Sequence, residues 1–158
     1  MDGEMIWATS QTNRHQTVVL QLTILLREFV AESALGKVWL APFDVVLSDH
    51  YVAQPDILFV SNERSSIITN ANIQGAPDLV IEILSPGTVE FDRGYKLALY
   101  GRHGVLESWL VDPDAETVEV LTLGDQGLAP MATYRRSEVL TSPLLAGISL
   151  DLGQVFRE

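Results

Sequence analysis

The feature that most constrains this chain is a seven-residue run, Asp78-Leu79-Val80-Ile81-Glu82-Ile83-Leu84, preceded by Pro77 and closed by Ser85-Pro86-Gly87. A run this short and this apolar, bounded by turn residues, reads as a strand inside a sheet. Side chains alternate along a strand, so Leu79, Ile81 and Ile83 face one way. Asp78, Val80, Glu82 and Leu84 face the other. Glu82 thus sits among apolar neighbours, where an ionised carboxylate is costly unless it is paired or metal-bound. Two readings are open at this point: a carboxylate that serves chemistry, or one that pairs with an arginine or faces water on a half-exposed sheet.

The flanking segments supply the rest of a sheet and its covering helices. Asn13 to Leu35 carries Val18, Leu22, Leu25, Leu26, Phe29 and Val30 at helical spacing. Asn13 and Gln16 resemble a capping box there, and Gly36 is the expected stop. Val38 to Leu47 reads as a strand interrupted by Pro42, Asp49-His50 as a turn and Gln54 to Val60 as a second strand. A polar stretch from 61 to 76 reads as a loop with a helical turn. After the Glu82 strand, a helix is expected from about Thr88 to His103, stopped by Gly104. Val105–Val111 and Thr117–Leu123 then form a hairpin around Asp112-Pro113-Asp114-Ala115-Glu116. A turn follows at Gly124–Gly127, and the apolar tail Leu140–Phe156 is expected to pack on the core as short strand and loop. This order predicts an α/β fold, a mixed sheet flanked by helices, in a single domain over 1–158.

Composition narrows the chemistry. There is no cysteine, so disulfides, zinc–thiolate sites and thiol nucleophiles are excluded. Any metal must be held by carboxylates, histidine, carbonyls or water, a mostly hard set that suits Mg²⁺ or Mn²⁺. The formal net charge is −11, with two lysines (Lys37, Lys96) and eight scattered arginines. Phosphate binding is driven by such cations, so weak non-specific affinity for DNA is expected. The acidic start, MDGEMIWATS, lacks the pattern of a secretory signal, and the expected location is the cytoplasm.

Further residues join Glu82 as candidates. Asp56, after Pro55, opens a strand that could lie beside the Glu82 strand. Neighbouring strands are about 4.8 Å apart, so two facing carboxylates could share one cation; the alternative for Pro55-Asp56 is a turn. Lys96, early in the following helix, is either a cation reaching the site or an exposed partner of Asp92 at i,i+4. Tyr100 lies on the same helix face. Asp78 shares the face of Glu82 but lies about 13 Å away along the strand, which suits a turn or backbone cap better. Asp44 is a weaker acidic candidate. His15, His50 and His103 are widely spread, and no HExxH pair, phosphate-cradling glycine loop, GxSxG elbow or dinucleotide fingerprint is present. Trp39, Phe59 and Trp109 read as core.

The runs "APDLVIEILSPGT", "DRGYKLALYGRHGV" and "SWLVDPDAETVEVL" closely resemble the Uma-type family of restriction-endonuclease-like proteins. "APFDVVLSDHYVAQPDILFVS" and "SPLLAGISLDLGQVF" extend the resemblance over nearly the whole chain. It implies a PD-(D/E)XK nuclease-like fold in which Pro55-Asp56 matches the Pro-Asp element and Glu82 the acid of the next strand. Many members of that superfamily carry the lysine two residues later, where Leu84 stands; here Lys96, in the following helix, matches it. Glu4, in Asp2-Gly3-Glu4, matches an early acidic residue near the site. The implied activity is a Mg²⁺- or Mn²⁺-dependent endonuclease acting on DNA, paired as a homodimer. Asp56 and Glu82 would hold the metal with water and the Ile83 carbonyl, and Lys96 would orient the attacking water or steady the phosphate. Glu4, Asp78, Asp92 and Tyr100 are auxiliary candidates. The charge keeps two alternatives open: a non-catalytic dimeric interaction module with a nuclease-like fold, and hydrolysis of a smaller phosphodiester.

Overall fold

The computed structural model describes residues 12–86 and 92–158. Helix α1 (Asn13–Glu32) buries His15, Val18, Leu22, Leu26 and Val30, a stripe at three- and four-residue spacing. Its cap is Thr12, one residue before the expected Asn13: Thr12 Oγ1 accepts from the His15 N–H at 3.0 Å. The helix also ends earlier than expected. Ser33 caps it, and Ala34, at φ 53°, takes the left-handed position foreseen for Gly36. Gly36 instead opens the first strand. A Cβ at this position would lie 2.1 Å from the Val60 carbonyl oxygen, so the residue is glycine to let two backbones approach.

The strands in chain order are β1 (Gly36–Leu40), β2 (Asp44–Ser48), β3 (Tyr51–Ala53), β4 (Ile57–Ser61), β5 (Asn72–Gln74), β6 (Leu79–Ile83), β7 (Glu107–Asp112), β8 (Thr117–Gly124), β9 (Gly127–Arg135), β10 (Val139–Leu140) and β11 (Leu150–Asp151). The main sheet has the order β1-β4-β6-β7-β8-β9, antiparallel except for the parallel pair β6–β7. The predicted strand Val38–Leu47 is therefore two strands in different sheets. β1 pairs with β4 in the main sheet, while β2 joins β3 and β5 in a small one. Pro42, which lacks an N–H, falls at the break. β9 was not expected from sequence, and Pro130 lies inside it. It is an edge strand, where a missing donor is tolerated, and the register slips opposite Pro130 between Val120 and Leu121.

The alternation read from the sequence holds along β6. Leu79, Ile81 and Ile83 pack with Trp109 and Val111 of β7 against Val18, Leu22 and Leu26 of α1. Fully burying the four aliphatic side chains of the α1 stripe contributes roughly 6–12 kcal/mol before the entropy of ordering them is subtracted. The tail closes the same side with Leu145, Ile148, Leu150 and a short helix (Leu152–Val155) rather than strand and loop alone. On the opposite face Val80 packs with Tyr100 and Val105, and Leu84 and Leu110 with Leu97. The covering element there is a π-helical turn (Asp92–Lys96) that runs into helix α2 (Leu97–Arg102). Glu82 lies beneath it. No helix among the described residues is long and apolar enough to cross a membrane.

Candidate active site

The register of β4 against β6 ends at Ile57 opposite Ile81. One step further sets Asp56 opposite Glu82, and opposed residues of an antiparallel pair project to the same face. Pro55 follows on this path and cannot donate to the ladder. Asp56 continues it with its side chain instead: Oδ2 accepts from the Ile83 N–H at 2.7 Å. Its own carbonyl accepts from the Ala41 N–H at 3.1 Å, which anchors it to the chain leaving β1. Asp56 is half-buried and Glu82 is 3% exposed.

Glu82 Oε2 accepts from the Tyr100 hydroxyl at 2.6 Å and meets Lys96 Nζ at 3.4 Å. Lys96 and Tyr100 are four residues apart, one helical turn, so both reach down from one face onto the same carboxylate. Arg93 forms an ion pair with Glu119 of β8, which ties the start of this turn to the sheet. The Lys96 side chain is 21% exposed, so its ammonium stands between the buried carboxylate and solvent. Beside it opens a cleft of about 500 Å³ lined by Asp44, Val52, Gln54, Tyr95 and Leu99. Lys96 therefore serves Glu82 in this arrangement; the side chain of Asp92 lies outside the described residues, as does Glu4.

The other acidic candidates have separate partners. Asp78 lies at the far end of β6, buried, with Oδ1 accepting from the Ser61 N–H at 2.7 Å and Oδ2 3.8 Å from Arg64 Nε. Arg64 also donates to the carbonyls of Ala76 and Gly104. This is a backbone clamp, the second of the two roles its position allowed. Asp44 accepts from Gln54 Nε2 at 2.7 Å at the edge of the cleft.

Two buried ionisable residues, Glu107 and His15, were not singled out by the sequence. Glu107 of β7 is 1% exposed and faces the α1 side, away from Glu82. It accepts from Trp109 Nε1, Ser142 Oγ and the Leu144 N–H, all neutral donors, and so pins the C-terminal segment to the sheet. Its strand alternation was visible in the sequence, just as that of Glu82 was. His15, 5% exposed on the first turn of α1, places Nε2 3.1 Å from the Ile83 carbonyl. A carbonyl only accepts, so Nε2 carries the proton. Nδ1 is buried with no partner among the described residues. An orphaned buried polar atom costs about 1–3 kcal/mol. The signal in the sequence was that His15 continues the stripe of Val18, Leu22 and Leu26.

Among the described residues no three His, Asp or Glu side chains converge closely enough to form a metal cluster by themselves. The donors at the end of β6 are the carboxylates of Asp56 and Glu82 and the carbonyl of Ile83. An all-oxygen set with few protein ligands is what Mg²⁺ accepts, since it keeps several of its waters. The donor chemistry fits a hard divalent cation.

A family model described as "Putative restriction endonuclease", Uma2, matches residues 1–153 of this sequence. The chain belongs to the Uma2 family. A similar protein is the uncharacterised protein slr1290 of Synechocystis, 24% identical over 159 residues, covering 99% of this chain and 81% of that protein. Among solved structures, the chain is similar to the "putative nuclease belonging to DUF820" from Anabaena variabilis. The TM-score is 0.75 at 22% identity, over 94% of this chain and 83% of the other. The family expected from the sequence motifs and the mixed α/β, nuclease-like fold are both borne out.

Proposed function

We propose that this Uma2-family chain is a Mg²⁺- or Mn²⁺-dependent endonuclease that hydrolyses phosphodiester bonds in DNA, working in the cytoplasm as a homodimer. The observation that carries the reading is the convergence at one end of β6. Asp56 is bonded to the Ile83 N–H, and the adjacent Glu82 is buried beneath Lys96 and Tyr100. Burying a carboxylate beside a cation at a cleft wall, when an apolar residue would pack there, makes sense if the carboxylate is needed. Asp56 and Glu82, with the Ile83 carbonyl, are the residues that would hold the cation. Bound there, a divalent ion supplies a water of lowered pKa and offsets charge on the phosphate. Lys96, beside Glu82, would donate to the attacking water or to a phosphate oxygen. The Tyr100 hydroxyl fixes the Glu82 carboxylate in its rotamer.

The net charge of −11 favours a second reading, a dimeric interaction module that keeps the fold without the chemistry. Several cations are already committed to acids, including Arg14 to Asp114 and Glu158, Arg93 to Glu119 and Arg136 to Glu116. One experiment separates the two. Nicking of supercoiled plasmid is measured at low salt with Mg²⁺ or Mn²⁺, using wild type, Glu82→Gln and Lys96→Ala purified identically, with a chelator control. The endonuclease reading expects cation-dependent nicking by wild type and a loss of at least about a hundredfold in Glu82→Gln. Equal nicking by all three proteins refutes the site, and no nicking by wild type turns the balance to the interaction module.

A further inference from the structure

Ile83 is held at both of its main-chain polar groups, from two different elements. Its N–H donates to Asp56 Oδ2 at 2.7 Å, and its C=O accepts from His15 Nε2 at 3.1 Å. In an antiparallel pair the N–H and C=O of one residue point to the same side, here the side of β4. The ladder with β4 stops at Ile57–Ile81, so the edge of β6 beyond it is served by side chains. The next peptide is fixed from the other side as well, because the Leu84 N–H donates to the Val111 carbonyl at 2.7 Å. The Ile83–Leu84 peptide is thus clamped at its N–H by β7 and at its C=O by α1.

The residue doing this is conspicuous on its helix. The buried stripe of α1 is otherwise aliphatic, with Val18, Leu22, Leu26 and Val30. At the first position of that stripe stands an imidazole, one nitrogen on the Ile83 carbonyl and the other buried with no partner among the described residues. A residue retained for packing would be served as well by leucine. Among the described residues the one polar contact of the imidazole is the carbonyl of Ile83, the residue that follows Glu82 and whose N–H is bonded to Asp56.

We propose that His15 is a positioning residue for a divalent cation at the end of β6: its Nε2–H fixes the direction of the Ile83 carbonyl, which would help Asp56 and Glu82 hold the ion. The assignment rests on the metal-dependent reading above and deepens it, by coupling helix α1 to the metal site. A carbonyl oxygen has two lone pairs, so donation from His15 and contact with a cation are compatible. Partners that orient a ligand in this way typically carry a 10–100-fold share of metal affinity.

The test is calorimetric titration of Mn²⁺ into the full chain, in wild type, Glu82→Gln, His15→Leu and His15→Gln, with thermal unfolding of each metal-free protein recorded alongside. The expected pattern is binding by wild type, none by Glu82→Gln, and binding weakened about 10–100-fold in His15→Leu. His15→Gln, whose amide N–H can reach the same carbonyl, recovers most of the loss, a rescue that a purely structural role would not give. Wild-type affinity in His15→Leu overturns the role of His15 while the metal site stands. No Mn²⁺ binding by wild type overturns the metal reading, and this proposal with it. Should His15→Leu fail to fold, pulsed EPR of Mn²⁺ bound to wild type decides. A nearby but unbound imidazole nitrogen is expected, and either a directly coordinated nitrogen or no nitrogen coupling at all overturns the positioning role.

Discussion

Lys96→Met measures what the ammonium contributes to the buried Glu82. At 3.4 Å and an effective dielectric of about 20, the attraction between the two charges is about 5 kcal/mol before solvation is considered. Most of that is offset by taking both groups out of water. Removing only the lysine leaves the carboxylate, with 4% of its side chain exposed, still buried beside the Tyr100 hydroxyl. Methionine keeps the apolar stem, so packing changes little. The carboxylate then has an escape, because it can take up a proton. That costs about 1.4 kcal/mol for each pH unit above the free glutamate value of about 4.3, a ceiling of about 3.7 kcal/mol at pH 7. The lower bound is the loss of a charge-assisted hydrogen bond, about 1.5 kcal/mol. The expected loss at pH 7 is therefore between about 1.5 and 3.7 kcal/mol, and its ceiling falls to about 1 kcal/mol at pH 5. The sign follows from linkage. In the variant, the folded state raises the proton affinity of Glu82 above that of the unfolded chain, so the deficit grows with pH and fades as the pH falls toward 4. Glu82→Gln is the opposite perturbation. Its neutral amide still accepts from Tyr100, the partly exposed Lys96 can turn to water, and stability stays within about 1 kcal/mol of wild type. Urea unfolding followed by circular dichroism at pH 7 and pH 5 reads all three proteins. A Lys96→Met deficit below about 0.5 kcal/mol at pH 7, or one that increases at pH 5, refutes the reasoning.

Gly36→Ala places a methyl group 2.1 Å from the Val60 carbonyl oxygen, a backbone atom that cannot step aside. A loss at or above about 3 kcal/mol is expected in the same urea assay, and a loss under 1 kcal/mol would mean the strands can part. Glu107→Leu strands the Trp109, Ser142 and Leu144 donors and is expected to cost about 3 kcal/mol or more, with Glu107→Gln costing less. Because Glu107 faces away from Glu82, the folded fraction of Glu107→Gln keeps wild-type nicking per molecule; lost nicking at unchanged stability would contradict the separation of the two faces.

Much of the fold was legible because periodicity and burial point the same way. The α1 stripe and the alternation of β6 each follow from residue spacing alone, and the structure buries the residues they name. Where the reading failed, a local signal had been overridden by tertiary context. Residues 128–135 had no element assigned to them, yet β9 forms there, and its Pro130 is tolerated because an edge position leaves the missing donor harmless. Gly36 was taken as a helix stop by residue type, whereas the requirement it meets is the approach of a distant strand, invisible locally. Histidine spacing along the chain said nothing of His15, because its partner, the Ile83 carbonyl, is 68 residues away.

The sequence by itself determined that Glu82 is an anomaly, since alternation puts a carboxylate among apolar side chains whatever lies across from it. It also determined which residues share its face and, through long ordered motifs, which family the chain belongs to. Only the tertiary structure decided what meets that carboxylate. Strand pairing set Asp56 opposite Glu82 with its carboxylate on the Ile83 N–H, and the crossing of the π-helical turn and α2 brought Lys96 and Tyr100 down onto Glu82. The packing of α1 brought His15 to the same strand end. Local periodicity fixes the direction of a side chain, because it is a property of a few neighbouring dihedrals; its partner depends on contacts across the sheet that no local pattern encodes.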